Sequence, residues 1–141
     1  MIEDLFEGTV ASVAYLAVGL VLMAIGYVVI DLLTPGKLGD LIWTHRNANA
    51  ALVLCSGLLS VATVIVTAIM TSENDLADGL LSTAVYGGLG LLMLAVTFFV
   101  VDMATPGKLG DTLISDRLHP AAWVTAVAHL SGGAIVAASI S

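Results

Sequence analysis

The composition of this chain is too apolar for a protein that is surrounded by water. Of its 141 residues, 59% are hydrophobic and only 11% are charged, whereas a soluble domain normally carries about 25% charged residues. So little charge cannot coat a globule in water, which excludes a soluble domain. With 4 Lys and Arg against 11 Asp and Glu, there is also no basic stripe on which nucleic acid would bind.

The hydrophobic residues fall into four blocks, each about as long as the roughly 20 residues that a helix needs to cross a bilayer. In chain order the blocks cover residues 10–30, 48–70, 80–101 and 121–140, and no Lys or Arg interrupts them. Because backbone groups in lipid have no water to bond, such segments must be helical. The sequence predicts an all-α membrane protein with four transmembrane helices, as a single membrane domain over residues 1–141.

A Thr-Pro-Gly turn follows the first block. Proline cannot continue a helix, and Gly36 allows a tight turn after it. The apolar residues that come next predict a short interfacial helix whose tryptophan lies at headgroup level; they are Leu38, Leu41, Ile42 and Trp43.

Small residues inside the blocks predict close helix packing. Gly57 and Ser60 lie in the second block and Gly133 in the fourth. Hydroxyl groups such as that of Ser60 either join helices by hydrogen bonds or line a polar path. We interpret the single cysteine, Cys55, as a small packing residue.

The carboxylates of Asp31 and Asp102 stand three residues before a Thr-Pro pair, at the C-terminal end of a helix. The helix dipole disfavours an anion there, and an unpaired carboxylate near the hydrocarbon is costly. One interpretation is a bridge or cap that pins the loop to the helix. Another is an entry site for an ion or proton. Ion pairs across the repeats described below, Asp31 with Arg117 and Asp102 with Arg46, would hold the two halves together.

His129 is the ionisable residue that lies deep within a block. Intramembrane ionisable groups are candidates for function, but a neutral histidine also serves as a hydrogen-bonding packing residue. The equivalent position of the first repeat holds Leu58, which favours the packing interpretation. The histidines and the cysteine are too dispersed to predict a metal site, and no cofactor is indicated.

The chain contains an internal duplication. Residues 34–40 recur without change as residues 105–111, at a shift of 71 residues. The same shift pairs Asp31 with Asp102 and Arg46 with Arg117. We predict repeat one over residues 1–70 and repeat two over 72–141. Each repeat holds an even number of spans, so the two helical hairpins enter the membrane in the same direction as parallel tandem repeats.

The basic residues predict the orientation. Lys37, Arg46, Lys108 and Arg117 all follow the first or third block, whereas acidic residues gather at the opposite ends. The positive-inside rule places the basic loops in the cytoplasm and both termini outside it.

The sequence resembles a known family of membrane proteins. An Asp-x-x-Thr-Pro pattern at Asp31, followed by Asn47 and Asn49 at the start of the second block and by Gly57, is similar to the bacterial family called domain of unknown function 350, also named uncharacterised protein family 0719. The resemblance covers essentially the whole chain. It implies a small multi-pass protein of the bacterial cytoplasmic membrane, with no established activity.

The second repeat departs from the family pattern, because Leu118 and Pro120 stand where the first repeat has Asn47 and Asn49. A role of the asparagines would therefore belong to the first repeat alone. Genes of the family often lie near genes for polyamine synthesis or stress response, which suggests envelope stress by association.

Two functions remain open. The first is an accessory membrane component that forms homo-oligomers or docks on a larger membrane partner within the bilayer. The second is a channel or transporter for a small ion or solute. We expect no enzyme, since no nucleophile has a base at a workable spacing and no phosphate-binding loop is present.

Overall fold

Four long helices make up most of the protein. The computed structural model describes residues 2–72, 75–104, 110, 111, 114, 115 and 117–141. Its helices are α1 (Ile2–Leu33), α2 (Ala48–Met70), α3 (Leu76–Ala104) and α4 (Pro120–Ile140). Each is long and apolar enough to cross a membrane. The predicted all-α fold with four candidate spans is confirmed.

The helix ends differ from the hydrophobic blocks where polar residues continue a helix beyond the lipid. α2 has the predicted bounds, whereas α1 begins at Ile2 rather than at residue 10. α3 begins at Leu76, just after Asp75, whose side chain accepts hydrogen bonds from the amides of Ala77 (2.9 Å) and Asp78 (3.2 Å). A carboxylate that accepts the first free amides is a helix N-cap. Hydropathy marks the part of a helix that meets lipid, and caps mark where the helix begins.

The loop after α1 turns as predicted. Gly36 has a φ of +92°, a left-handed conformation that glycine adopts without steric cost. The predicted short helical segment is present as a π-helical turn over Asp40–Thr44. Leu38 is fully buried beneath it, while Trp43 is 82% exposed. The loop therefore folds back on the bundle with one apolar anchor and an outward tryptophan.

The bundle is organised around α2. This helix contacts α1, α3 and α4, and its contact with α4 is the most extensive. α3 packs on α1 and α4 as well as on α2. The core between the helices consists mainly of Leu, Ile and Val side chains, with Phe98 and two alanines among them, and α1 and α4 are the flanking helices.

Glycines set the closest approaches between helices. A Cβ added at Gly133 of α4 would stand 2.9 Å from the Cα and the carbonyl oxygen of Ser60 in α2. One added at Gly57 would lie 2.6 Å from Ile30. The predicted role of Gly57, Ser60 and Gly133 in close packing is confirmed. The interpretation of Cys55 as a packing residue is wrong, because its side chain lies on the exposed face of α2.

Candidate functional site

The carboxylate of Asp31 caps the loop that follows its own helix. Its Oδ1 accepts a hydrogen bond of 2.6 Å from the amide of Leu38. Leu38 opens the next helical segment, in which the amide of Leu41 bonds to the carbonyl of Lys37 (3.0 Å). An anion at the end of α1 is thus also an anion at the start of the following turn, where free amides favour negative charge.

Asn49 joins the first turn of α2 to the loop before α4. Its Nδ2 donates to the carbonyl of Ser115 (3.1 Å) and to the carbonyl of Arg117 (2.9 Å), while its Oδ1 accepts from the amide of His119 (2.7 Å). The side chain is 1% exposed. Both functional groups of one buried amide are therefore committed to the backbone of a distant loop, an arrangement that we call the asparagine clamp.

Asn47 supports the same loop while it caps α2. Its Oδ1 accepts from the amide of Ala50 (3.0 Å), and its Nδ2 donates to the carbonyl of Ser115 (3.1 Å). Asparagine is among the preferred N-cap residues because its side-chain oxygen satisfies a free amide. Sequence reasoning selected both asparagines by family resemblance alone and missed Ser115, since nothing in the sequence indicates a contact to that backbone.

The predicted basic candidates lie at the surface of this end of the bundle. Lys37, Arg46 and Arg117 are exposed. Among the described residues, Nδ1 of His45 lies 3.7 Å from the carboxylate of Asp40, a contact that is an ion pair when the histidine is protonated. The structure does not bring Asp31 and Arg117 together as an ion pair. Asp102 lies near the end of α3, and Lys108 lies outside the described residues.

Arg46 has a backbone role of its own. Its φ of 51° is left-handed, and the amide of Asn47 after it bonds to the carbonyl of Leu41 (2.9 Å). This bond is one residue longer than the bond that ends an α-helix after a left-handed residue, a position where glycine usually stands. Arg46 thus closes the π-helical turn and leads the chain into α2.

Substitutions of Asp31 should show whether its carboxylate acts as a cap of the loop or as an ion-pair partner of Arg117. Asp31→Asn retains an oxygen that accepts from Leu38 and should change the free energy of unfolding by less than about 0.5 kcal/mol, whereas Asp31→Ala should cost about 1 kcal/mol. Arg117→Ala serves as the control and should be nearly neutral. Thermal unfolding in detergent measures all three. A large loss in both Asp31→Asn and Arg117→Ala would contradict the cap and restore the ion pair between the repeats.

His129 lies at the tightest part of the interface between α2 and α4. The residue is 1% exposed, and its ring stacks on Phe98 with ring centroids 6.3 Å apart. Its Nδ1 lies 3.3 Å from the hydroxyl of Ser56, and its carbonyl accepts from Ser60 (2.7 Å). Ser56 and Ser60 therefore hold both the ring and the backbone of this histidine.

The two ring nitrogens of His129 have different surroundings. Nδ1 lies beside the hydroxyl of Ser56, which also contacts the carbonyl of Val53 (3.0 Å). The other ring nitrogen, Nε2, is buried with no hydrogen-bond partner in the part of the chain that the structure describes.

We expect His129→Leu to be tolerated better than His129→Ala. Leucine fills most of the ring volume and removes the unpaired Nε2, and Ser56 keeps its bond to Val53, so stability should change by about 1 kcal/mol or less. Alanine leaves a cavity and should cost about 3 kcal/mol. Thermal unfolding of both variants in the same detergent checks the order. Equal losses would mean that the imidazole makes a polar contact essential to the fold.

Comparison with known proteins places this arrangement in a family. The model of the family described as Domain of Unknown Function (DUF350) matches residues 4–140. This chain belongs to the DUF350 family. The family resemblance inferred from the Asp31 and asparagine patterns is confirmed, and the match spans all four helices.

The curated relatives of this DUF350 member are named as membrane proteins. A UPF0719 transmembrane protein of Mycolicibacterium paratuberculosis is 34% identical over 140 residues, which cover 99% of this chain and 93% of the relative. Relatives of the same name in Mycobacterium bovis and Mycobacterium tuberculosis are each 35% identical over 140 residues. The matched residues cover 99% of this chain and 92% of each relative. No solved structure matches the chain. The names and the four apolar helices together identify a transmembrane protein.

Proposed function

We propose that this protein is a packed four-helix membrane unit that acts by assembling with other membrane proteins, without enzyme chemistry of its own. The observation that carries the proposal is the state of the polar side chains inside the bundle. Most of them form hydrogen bonds between or within the helices, so the surface that faces the membrane is the part of the molecule that a partner can bind.

Four buried hydroxyl groups illustrate this point. Each is at most 5% exposed and donates to a helix carbonyl: Ser56 to Val53, Ser60 to His129, Thr83 to Gly79 and Thr125 to Ala121. The exception is Thr34, whose buried Oγ1 has no hydrogen-bond partner among the described residues. A path for ions needs polar groups that face water. Side chains that are dry and already bonded favour packing over conduction.

The outward surface has the opposite character. Every helix exposes large apolar side chains, among them Leu16 of α1, Leu59 of α2, Phe99 of α3 and Ile135 of α4, each at 57% or more. In a membrane this surface is covered by lipid or by other helices. Small residues such as Gly88, against whose added Cβ nothing lies within 4 Å, would allow another helix to approach closely.

The proposal includes the arrangement as parallel tandem repeats in the bacterial cytoplasmic membrane, with both termini outside the cytoplasm. It is supported by the close approach of Pro35 in the first Thr-Pro-Gly loop to Gly110 in the second copy. The bonds from Asn49 to the loop before α4 support the same grouping. Tags on the two termini that reported the cytoplasm would refute this orientation.

Reconstitution in liposomes tests the proposed function. Purified protein should give proton, sodium and potassium leaks no greater than those of protein-free liposomes, and light scattering in mild detergent should give a mass above that of the monomer. Ion flux that falls in His129→Leu, together with a monomeric mass, would overturn the proposal. A Cys55→Ser variant, which removes the exposed thiol, excludes disulfide artefacts in the mass measurement.

A channel or transporter for a small ion or solute is the second candidate. One observation favours it: Nε2 of His129 is a buried ring nitrogen within a span that has no hydrogen-bond partner among the described residues. Such groups mark proton and ion pathways in many membrane proteins. The flux measurement with His129→Leu decides between the two functions.

A further inference from the structure

Residues 2–9 of α1 precede the hydrophobic block that begins at Val10, and we call them the extension of α1. The hydroxyl of Tyr15 lies 3.0 Å from that of Ser72, just after the end of α2. The extension continues α1 for about 12 Å beyond the hydrophobic block at the usual rise per residue. All side chains from Ile2 to Val10 are exposed, and an added Cβ at Gly8 would meet nothing within 4 Å.

This extension does not lie in the hydrocarbon. It carries Glu3, Asp4 and Glu7, and carboxylates are costly within lipid. It is also continuous with the transmembrane part of α1, so it stands away from the membrane and does not lie flat on the lipid surface. The hydrocarbon therefore does not cover the apolar side chains of residues 2–9, of which Ile2 is 79% and Phe6 is 70% exposed.

The apolar residues of the extension form one stripe that continues into the membrane. Their spacing alternates between four and three residues, which is the heptad pattern of helices that pack side by side. We call this the α1 stripe: Ile2, Phe6, Thr9, Val13, Leu16 and Leu20. Its one polar member suits a seam, because the hydroxyl of Thr9 already donates to the carbonyl of Leu5 (2.7 Å).

The positions of the charged residues of α1 are compatible with a second α1 helix packed on this stripe. Asp4 and Glu7 occupy heptad positions that point away from the seam. Of the flanking positions, Leu5, Val10 and Ser12 are uncharged, and Glu3 in the first turn carries the flanking charge. The hydroxyl of Ser12 is satisfied by the carbonyl of Gly8 (2.8 Å). Two copies of α1 can therefore meet on the stripe while most of their carboxylates stay in water on the outside.

We propose that the α1 stripe is the docking surface for a second copy of this chain, which it meets as a parallel helix pair beyond and within the outer half of the membrane. The inference deepens the assembly function proposed above and rests on it. All copies in one membrane share one orientation, so their α1 helices run parallel. A heptad stripe is then in register with itself, with Phe6 facing Phe6 and Val13 facing Val13.

Cysteine cross-linking in isolated membranes tests the pair. In a Cys55→Ser background, Thr9→Cys and Val13→Cys lie on the stripe, while Glu7→Cys and Ala11→Cys lie on the opposite face of the same turns as matched controls. After oxidation with copper phenanthroline, the stripe variants should form roughly ten-fold more of a species with twice the monomer mass than the controls, because a disulfide needs closely opposed Cβ atoms. Adding Phe6→Glu should abolish that species.

Each outcome decides something. Equal cross-linking on both faces, or an adduct whose mass is not twice that of the monomer, overturns the second copy as occupant. Stripe cysteines that stay monomeric while the wild-type protein remains larger than a monomer in detergent overturn the stripe and leave the assembly function standing. Stripe cysteines that stay monomeric in a protein that is itself monomeric overturn both.

Discussion

Replacing Gly133 with valine should separate α2 from α4 and lower the free energy of unfolding by about 3 kcal/mol or more. An added Cβ would stand 2.9 Å from the Cα and the carbonyl oxygen of Ser60, a distance that real Cβ atoms essentially never show. These are backbone atoms of the central helix, so they cannot rotate away as a side chain would. Overpacking of this kind costs about 1–3 kcal/mol even where the surroundings yield.

Two other glycines provide matched controls for Gly133. Gly132→Ala in the same helix meets Thr97 Oγ1 at 2.9 Å, the end of a side chain that can move, and should cost about 1 kcal/mol. Gly88→Ala in α3 meets nothing within 4 Å and should be neutral or stabilise by up to about 1 kcal/mol through helix propensity. Thermal unfolding in one detergent ranks the three. A Gly133→Val protein as stable as Gly88→Ala would show that the α2–α4 contact is loose.

The spans could be read from the sequence because the bilayer sets their length. An apolar block of about 20 residues has one structural solution in lipid, and α2 accordingly has the predicted bounds, Ala48–Met70. The start of α1 at Ile2 could not be read in this way. Hydropathy indicates which residues contact lipid. It does not indicate where a helix begins when the helix continues into water, as α1 does with Glu3 and Asp4 in its first turn.

The hydrogen-bond partners of the candidate residues could not be predicted as well from the sequence. Charge alone suggested that Asp31 binds Arg117, but its carboxylate bonds to the amide of Leu38, seven residues along the chain. A backbone amide carries no signature in a sequence, since every residue except proline has one. The same reason hid the bonds of Asn49 to the backbone at Ser115 and Arg117.

The packing role of single small residues also required the fold. Gly88 and Gly133 both lie inside apolar blocks, yet one faces open space and the other touches the backbone of α2. Cys55 and Ser56 are adjacent, and they face outward and inward respectively. A helix of 3.6 residues per turn assigns faces only relative to its neighbours, and four blocks that are apolar all round do not reveal which neighbour each face meets.

Replacing Asn49 with leucine should release the loop before α4 and cost about 3 kcal/mol. The leucine side chain has a similar size but makes none of the bonds to Ser115, Arg117 and His119, each worth about 1 kcal/mol. Asn49→Asp should be at least as harmful, because it keeps the acceptor for the His119 amide and turns the donor into a second oxygen facing two carbonyls.

The matched control for the asparagine clamp is Asn47→Ser. Serine still caps α2 and loses only the bond to the carbonyl of Ser115, so it should cost about 1 kcal/mol. Thermal unfolding gives the order, and thiol labelling of Ser115→Cys in a Cys55→Ser background reports release of the loop: labelling should speed up with Asn49→Leu and remain slow with Asn47→Ser. Equal stability and equal labelling in the two would mean that the loop is held by contacts other than Asn49. A faster rate confined to Asn49→Leu would identify one buried amide as the group that holds the loop before α4 on the first turn of α2.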